Sequence, residues 1–388
     1  VADGPRPEPP APAGRPSALG GYEDWPAWQR GAAPLGGDVA AALGVPAPRA
    51  TPRPRVVDSW TADGVTTERV EWWVGFGPPT AAWVVRPQDA SDAPRPGVLV
   101  LHCHAGVKAI GAERLVRTPT PSAAAERLRR DLYDGRALAQ DLARRGAVVL
   151  AHDTFAWGSR RFDLDPLPVS LRGPVRGAEL AWAADGVVPD DEQRYDAAAA
   201  AHEHVVAKTA GTLGTSFAGV VAHDDLVALA VLRALPGLDP ARTGAVGFSG
   251  GGGRAAALAS LDPDLRAAVV VAMMTTTQAL LPAYADAHSW LLTTPGLLGR
   301  YGLPDLAAGR LAHDLLVLSF ADDALFPPDG VRAAHDELRT RFTGAPGRYD
   351  EAVLPGPHAF TAEAQDRAAD FLETSLGTAG LSDGPGGS

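Results

Sequence analysis

Three side chains in the second half of this sequence have the types and the order that nucleophilic catalysis requires. Ser249 sits in Gly247-Phe248-Ser249-Gly250-Gly251, a GxSxG pattern with a hydrophobic run before it and an alanine-rich run after it. In that pattern a sharp strand-to-helix turn exposes the hydroxyl, and glycines stand where a side chain would clash. A serine hydroxyl is a poor nucleophile at neutral pH. It needs a histidine to take its proton and a carboxylate to hold that imidazole. Downstream, "SFADDALFP" places Asp322 and Asp323 just after an apolar run, and "AVLPGPHAF" places His358 in a turn after another. A second GxSxG match, Gly380-Leu381-Ser382-Asp383-Gly384, lies in the tail "GTAGLSDGPGGS". No strand precedes it and no helix follows it, so nothing would hold Ser382 against a base.

The elements around Ser249 are what set it apart. Short apolar runs at 97–103, 147–153, 244–249, 266–274 and 314–322 have the continuous hydrophobicity of strands buried on both faces. Helical segments at 133–146 and 224–235 separate them, the first ending at a glycine. This alternation predicts a mostly parallel, doubly wound sheet. Upstream, "TTERVEWWVGFG" (66–77) and "AAWVVRP" (81–87) read as antiparallel strands joined through "FGPPT". The interval 159–215 is too long for a simple connection and holds a helical stretch, so it is expected to form a cap over the site. Residues 1–20 and 377–388, rich in Gly with Pro or Ala, read as loose arms around one domain over 21–376.

Composition narrows the function classes. With 46% hydrophobic residues among 388, the chain can bury a substantial core. Its net charge of -11 and its dispersed arginines argue against nucleic acid as a partner. No apolar run reaches the roughly 18 to 20 residues that span a bilayer, so no membrane partner is expected. The start of the chain lacks a basic segment followed by an apolar one, and Cys103 is the one cysteine. Both fit a cytoplasmic protein, and a secreted form with its signal removed would look the same.

With these motifs in order, the chain resembles the α/β-hydrolase superfamily, in its dienelactone hydrolase and acetylxylan esterase-like branch. The resemblance runs from about residue 80 to 375 and rests on "DDLVALAVLRALPGLDPARTGAVGFSGGGG", "LDPDLRAAVVVAMM", "DDALFPP" and "PGPHAF". It implies an α/β-hydrolase fold with N-terminal antiparallel strands and a cap insertion. It also implies Ser249 as nucleophile, His358 as general base and then acid, and Asp323, before "ALFP", as the carboxylate that orients the imidazole. Asp322 is the alternative acid. An oxyanion hole takes one backbone N–H from the residue after the nucleophile, here Gly250, and one from the first strand-to-helix loop. In "LHCHAGVK" that donor is expected to be Cys103, with His104 behind it. The loop departs from the family's pattern by carrying Cys103 and Ala105 where glycine is common.

The remaining reactive residues take quieter roles. His102 and His104 have strand-end metal-pair spacing but lack an identifiable third ligand, so a loop-stabilising or pocket role is expected and no metal. His202 and His204 lie two apart on a helical stretch, which assigns them a solvated face. Cys103 reads as a buried thiol. In "HDTFAWGSRR", Asp153, Trp157 and Arg160 line the pocket or brace it, and Arg254 reads as structural. The function expected is a serine hydrolase of small carboxylic esters, working through an acyl-enzyme without a cofactor, with sugar deacetylation as a family-level hint. A serine peptidase, an acyltransferase, a carbon–carbon bond hydrolase or a silent binding module on the same fold are the alternatives.

Overall fold

The computed structural model describes residues 16–89 and 93–377. Nine strands form one sheet: β1 (Arg55–Ala62), β2 (Val65–Trp72), β3 (Thr80–Pro87), β4 (Arg95–Leu101), β5 (Val148–His152), β6 (Leu238–Phe248), β7 (Ala267–Val271), β8 (Asp314–Phe320) and β9 (Tyr349–Leu354). Their spatial order is β1-β2-β3-β5-β4-β6-β7-β8-β9. β1, β2 and β3 pair antiparallel, and β3 runs antiparallel to β5. From β5 across to β9 every pairing is parallel.

The continuous apolar runs are strands covered on both sides. Every residue of β4, β5, β7 and β8 is buried. Alternate side chains leave to opposite faces, as the two-residue period of a strand demands. Leu99, Leu101, Leu315 and Val317 join one core, while Val98, Val100, Leu316 and Leu318 join the other.

Among the described residues twelve α-helices accompany the sheet: α1 (Trp25–Gly31), α2 (Asp38–Leu43), α3 (Ala123–Leu132), α4 (Leu138–Arg144), α5 (Arg172–Ala184), α6 (Asp191–Thr212), α7 (Phe217–Arg233), α8 (Gly250–Leu261), α9 (Thr277–Leu280), α10 (Leu303–Ala308), α11 (Pro328–Phe342) and α12 (Ala362–Leu376). The first core lies under α7, α8, α10 and α11, and the second under α4 and α12. Among the described residues no single helix is long and apolar enough to cross a membrane.

The interval 159–215 supplies α5 and α6. Helix α6 starts on a capping box in which Asp190 accepts from the Gln193 amide while Gln193 accepts from the Asp190 amide. Its inner face meets a third, aromatic-rich cluster that includes Tyr22, Trp25, Phe155, Phe162 and Phe217. Of the arm expected over 1–20, residues 16–20 fall within the described structure. There Ala18 O bonds His202 Nε2 at 2.7 Å, and Gly20 O accepts from Asp163 N at 2.9 Å. His202 is therefore buried, at 2% exposure, where a solvated face was expected. Helix α6 is sandwiched between the core and the N-terminal segment, and its spacing alone does not reveal that. Ser382 lies outside the described residues.

Candidate active site

Ser249 joins β6 to α8 with φ 55° and ψ -125°, a backbone conformation that is strained for a residue with a side chain. Two contacts hold it there. Its amide donates to Val271 O at 2.8 Å, and its carbonyl accepts from Gly253 N at 3.1 Å. The flanking glycines are steric necessities. A Cβ on Gly247 would lie 2.1 Å from Gly251 O, and one on Gly251 would lie 2.1 Å from Leu101 O. The turn thus exists because helix and sheet approach to backbone contact, as a nucleophile elbow requires. Ser249 itself is half-buried.

The segments after β8 and β9 bring the other two residues together. His358 Nδ1 lies 2.7 Å from Asp323 Oδ2. Asp323 is 8% exposed, and its other oxygen, Oδ1, accepts from the Leu325 amide at 2.9 Å. A carboxylate accepts, so Nδ1 carries the proton and Nε2 keeps its lone pair for a substrate-side proton. The His358 ring packs 4.8 Å from the ring of Phe248, the residue before Ser249, and Phe326 stacks on it at 6.3 Å. Asp322 is turned elsewhere, its Oδ2 accepting from Gly356 N at 3.2 Å.

The loop after β4 places its two expected donors, Cys103 and His104, differently. The Cys103 amide donates to Tyr133 Oη at 3.4 Å, and its buried thiol lies 3.4 Å from Arg114 Nη1. Its N–H is therefore engaged inside the protein. The next amide is placed differently: the His104 nitrogen lies 3.1 Å from where a Cβ on Gly250 would stand. Gly250 opens α8, where the first-turn N–H groups have no intrahelical partner. The His104 amide thus lies beside the start of α8, next to the Ser249 turn.

His104 is fixed by a residue that the sequence did not single out. Gly106 N donates to His104 Nδ1 at 3.0 Å, so Nε2 bears the hydrogen that meets Glu203 Oε2 at 3.1 Å. The same carboxylate accepts from Lys108 Nζ at 2.5 Å and, through Oε1, from the Trp290 amide at 2.7 Å. Burial would raise the Glu203 carboxyl, but the bond from His104 and the charge of Lys108 outweigh it and hold it far below the usual carboxylate range. Burial pushes both His104 and Lys108 down. Glu203 on α6 thereby ties the oxyanion-side loop to the segment that follows α9. Its one sequence signal is a carboxylate set between two histidines in an alanine-rich helix.

Other candidates brace the site. His102 is buried with Nδ1 3.0 Å from Cys103 O, and its carbonyl accepts from Arg254 Nη1 at 3.3 Å. Asp153 accepts from the Ala112 and Ser159 amides, both at 2.8 Å. Arg160, fully buried, pairs with Asp224 at 3.1 Å and donates to Phe76 O at 2.8 Å. Arg254 is held by Asp225 through Nη2 at 2.6 Å. Trp157 backs the loop, its ring 5.2 Å from His104 and 4.8 Å from Lys108 Nζ. His204 accepts from Trp290 Nε1 at 2.9 Å. Among the described residues no group of three or more His, Cys, Asp or Glu side chains could hold a metal ion.

No protein-family model matches the chain, and no curated protein matches it by sequence. Solved structures do. A methylesterase aligns over 91% of this chain at 18% identity with a TM-score of 0.55, and the chain spans 63% of that protein's length. Acetyl xylan esterase 1 from Thermoanaerobacterium sp. aligns over 93% of this chain and 95% of its own, at 17% identity and a TM-score of 0.53. An acetyl xylan esterase from Paenibacillus sp. aligns over 93% and 97%, at 15% identity and a TM-score of 0.51. The sheet order, the strained turn between β6 and α8, and these likenesses give the same answer: the chain has the α/β-hydrolase fold.

Proposed function

We propose that the protein is a serine hydrolase of carboxylic esters. The observation that carries this reading is the 2.7 Å pairing of His358 Nδ1 with Asp323, set against the Phe248–Ser249 turn. In the proposed reaction the Ser249 Oγ attacks the ester carbonyl carbon and passes its proton to His358 Nε2. The carbonyl oxygen becomes an oxyanion that accepts from the Gly250 and His104 amides. The intermediate collapses, the C–O bond to the alcohol breaks, and His358 returns the proton to the departing oxygen. Water then adds to the acyl-enzyme with His358 as base, releasing the acid and restoring Ser249. Asp323 stays ionised throughout and stabilises the imidazolium. The similar solved structures, a methylesterase and two acetyl xylan esterases, support carboxylic esters as the substrate class.

The test is a fluorophosphonate probe followed by peptide mapping, together with p-nitrophenyl acetate turnover. Label on Ser249, and a loss of turnover on the order of 10³-fold or more in Ser249→Ala, are expected. Label on a different residue, or full activity in the variant, would overturn the reading.

A further inference from the structure

A cavity of about 280 Å³ begins at Gly250, the residue after Ser249, and runs along the first turns of α8. Its floor is built from the smallest residues available: Gly250, Gly253 and Ala257 lie on one face of the helix at spacings of three and four. Its walls are aliphatic, with Met273, Leu280, Leu291 and Leu303 among them. Leu291 Cδ2 comes within 3.3 Å of where a Cβ on Gly250 would stand, so the wall reaches the residue next to Ser249. On the far side, His288 ties the cavity to the candidate triad. Its Nε2 lies 3.1 Å from Leu325 O, two residues past Asp323, and its ring packs 5.0 Å from Phe326, which stacks on His358.

The charged groups at this wall have no need of a ligand. Arg254 and Asp225 satisfy each other through bonds of 2.6 to 3.2 Å. What remains is an apolar volume roughly twice the ~150 Å³ that accommodates benzene. An acetyl group would leave most of it empty.

We infer that this cavity is the acyl pocket, and that the substrate carries an aliphatic acyl chain of about six to eight carbons. The inference rests on the proposed ester hydrolysis and adds the substrate class. The acyl group is assigned here, and the alcohol is not, because of where each group must go. The carbonyl oxygen is held at the Gly250 amide, so the chain attached to that carbonyl enters the cavity that starts there. The alcohol leaves on the side of His358, which gives it a proton and whose side chain keeps 19% of its surface open to solvent.

The experiment is kcat/KM for p-nitrophenyl esters from acetate to decanoate, beside a series of n-alkyl acetates, with wild type and Ser249→Ala. Each methylene buried in an apolar pocket raises kcat/KM about fourfold, so a rise on the order of 10² from acetate to hexanoate is expected. Gly253→Leu and Ala257→Phe fill the floor and lower the octanoate-to-acetate ratio by about tenfold or more. Circular dichroism and fluorophosphonate labelling check that each variant is folded. A profile that is flat or falls with acyl length, while acetate turnover still depends on Ser249, overturns the acyl pocket and leaves the hydrolase reading standing. A rise with alcohol length in place of acyl length overturns the assignment to the acyl side. Ester turnover that is indifferent to Ser249→Ala overturns the hydrolase reading itself.

Discussion

Asp323 and Asp322 are neighbours in the chain and face different partners. The first lies 2.7 Å from His358 Nδ1, and the second accepts from the Gly356 amide at 3.2 Å. Only the first can fix the imidazole tautomer. Asp323→Asn is expected to lower kcat by on the order of 10² to 10⁴, because an amide that donates to Nδ1 moves the ring proton to Nε2. Asp322→Asn keeps an acceptor for Gly356 and should cost far less. Steady-state kinetics on both variants check this, and a reversed ranking would transfer the orienting role to Asp322.

Glu203 acts through the loop that it holds and not on the substrate, so it is a positioning residue. Glu203→Gln keeps the side-chain shape but leaves the Lys108 ammonium buried, at 4% exposure, without its counter-charge. The His104 loop should shift, and kcat should fall about 10- to 100-fold while KM changes less, as for a misplaced oxyanion donor. Thermal unfolding measured beside the kinetics separates this from a fold effect. A lowered midpoint with kcat unchanged would mean that Glu203 serves stability alone.

The parts of this protein that the sequence reveals are those whose surroundings are uniform. β4, β5, β7 and β8 are buried on both faces, so each reads as an unbroken apolar run whatever packs on it. Ser249, Asp323 and His358 each lie within four residues of a strand's end, so locating the strand nearly locates the residue. β1 is different. It is a largely exposed edge strand, and "RVVDSWTA" carries no apolar alternation. Its signal was the Asp63-Gly64 pair, with φ of 50° and 77°, which closes a two-residue hairpin to β2. How the amides after β4 are engaged is not local at all: Tyr133, thirty residues after Cys103, accepts from the Cys103 N–H. Helical spacing likewise put His202 and Glu203 on some face of α6, but only the N-terminal segment and the Lys108 loop make those faces interior.

Metal removal should leave catalysis unchanged. His102 Nδ1 lies 3.0 Å from Cys103 O and His104 Nε2 lies 3.1 Å from Glu203, and among the described residues no group of three or more His, Cys, Asp or Glu side chains could hold a metal ion. Prolonged EDTA treatment is expected to leave kcat/KM for p-nitrophenyl esters within error. Activity lost to EDTA and restored by zinc would instead make His102 and His104 ligands and sink the serine mechanism.

The buried histidines set the acid limit of stability. His102, His104, His202, His223, His288, His313 and His335 are all pushed below the ordinary histidine value of 6.5, burial being the largest cause in each. In the unfolded chain they titrate at that ordinary value. Below it the unfolded state binds more protons than the native state, so their contribution is fully present above about pH 7 and is lost as the pH falls toward their lowered values. His102, at 1% exposure and held well below 6.5, contributes on the order of 1 kcal/mol of this loss between pH 7.5 and 5.5. Asp153, Asp196 and Glu192 pull the other way, since burial raises their carboxyls and native protonation then favours the fold. They start from ordinary values near 4, below this window, whereas the unfolded histidines titrate inside it, so the net slope is expected to keep the histidine sign. The unfolding midpoint should therefore drop by about 1 to 2 °C or more from pH 7.5 to 5.5 at constant ionic strength. Differential scanning calorimetry at the two pH values measures it, and a midpoint that holds or rises in acid would show that these imidazoles take up protons in the native state.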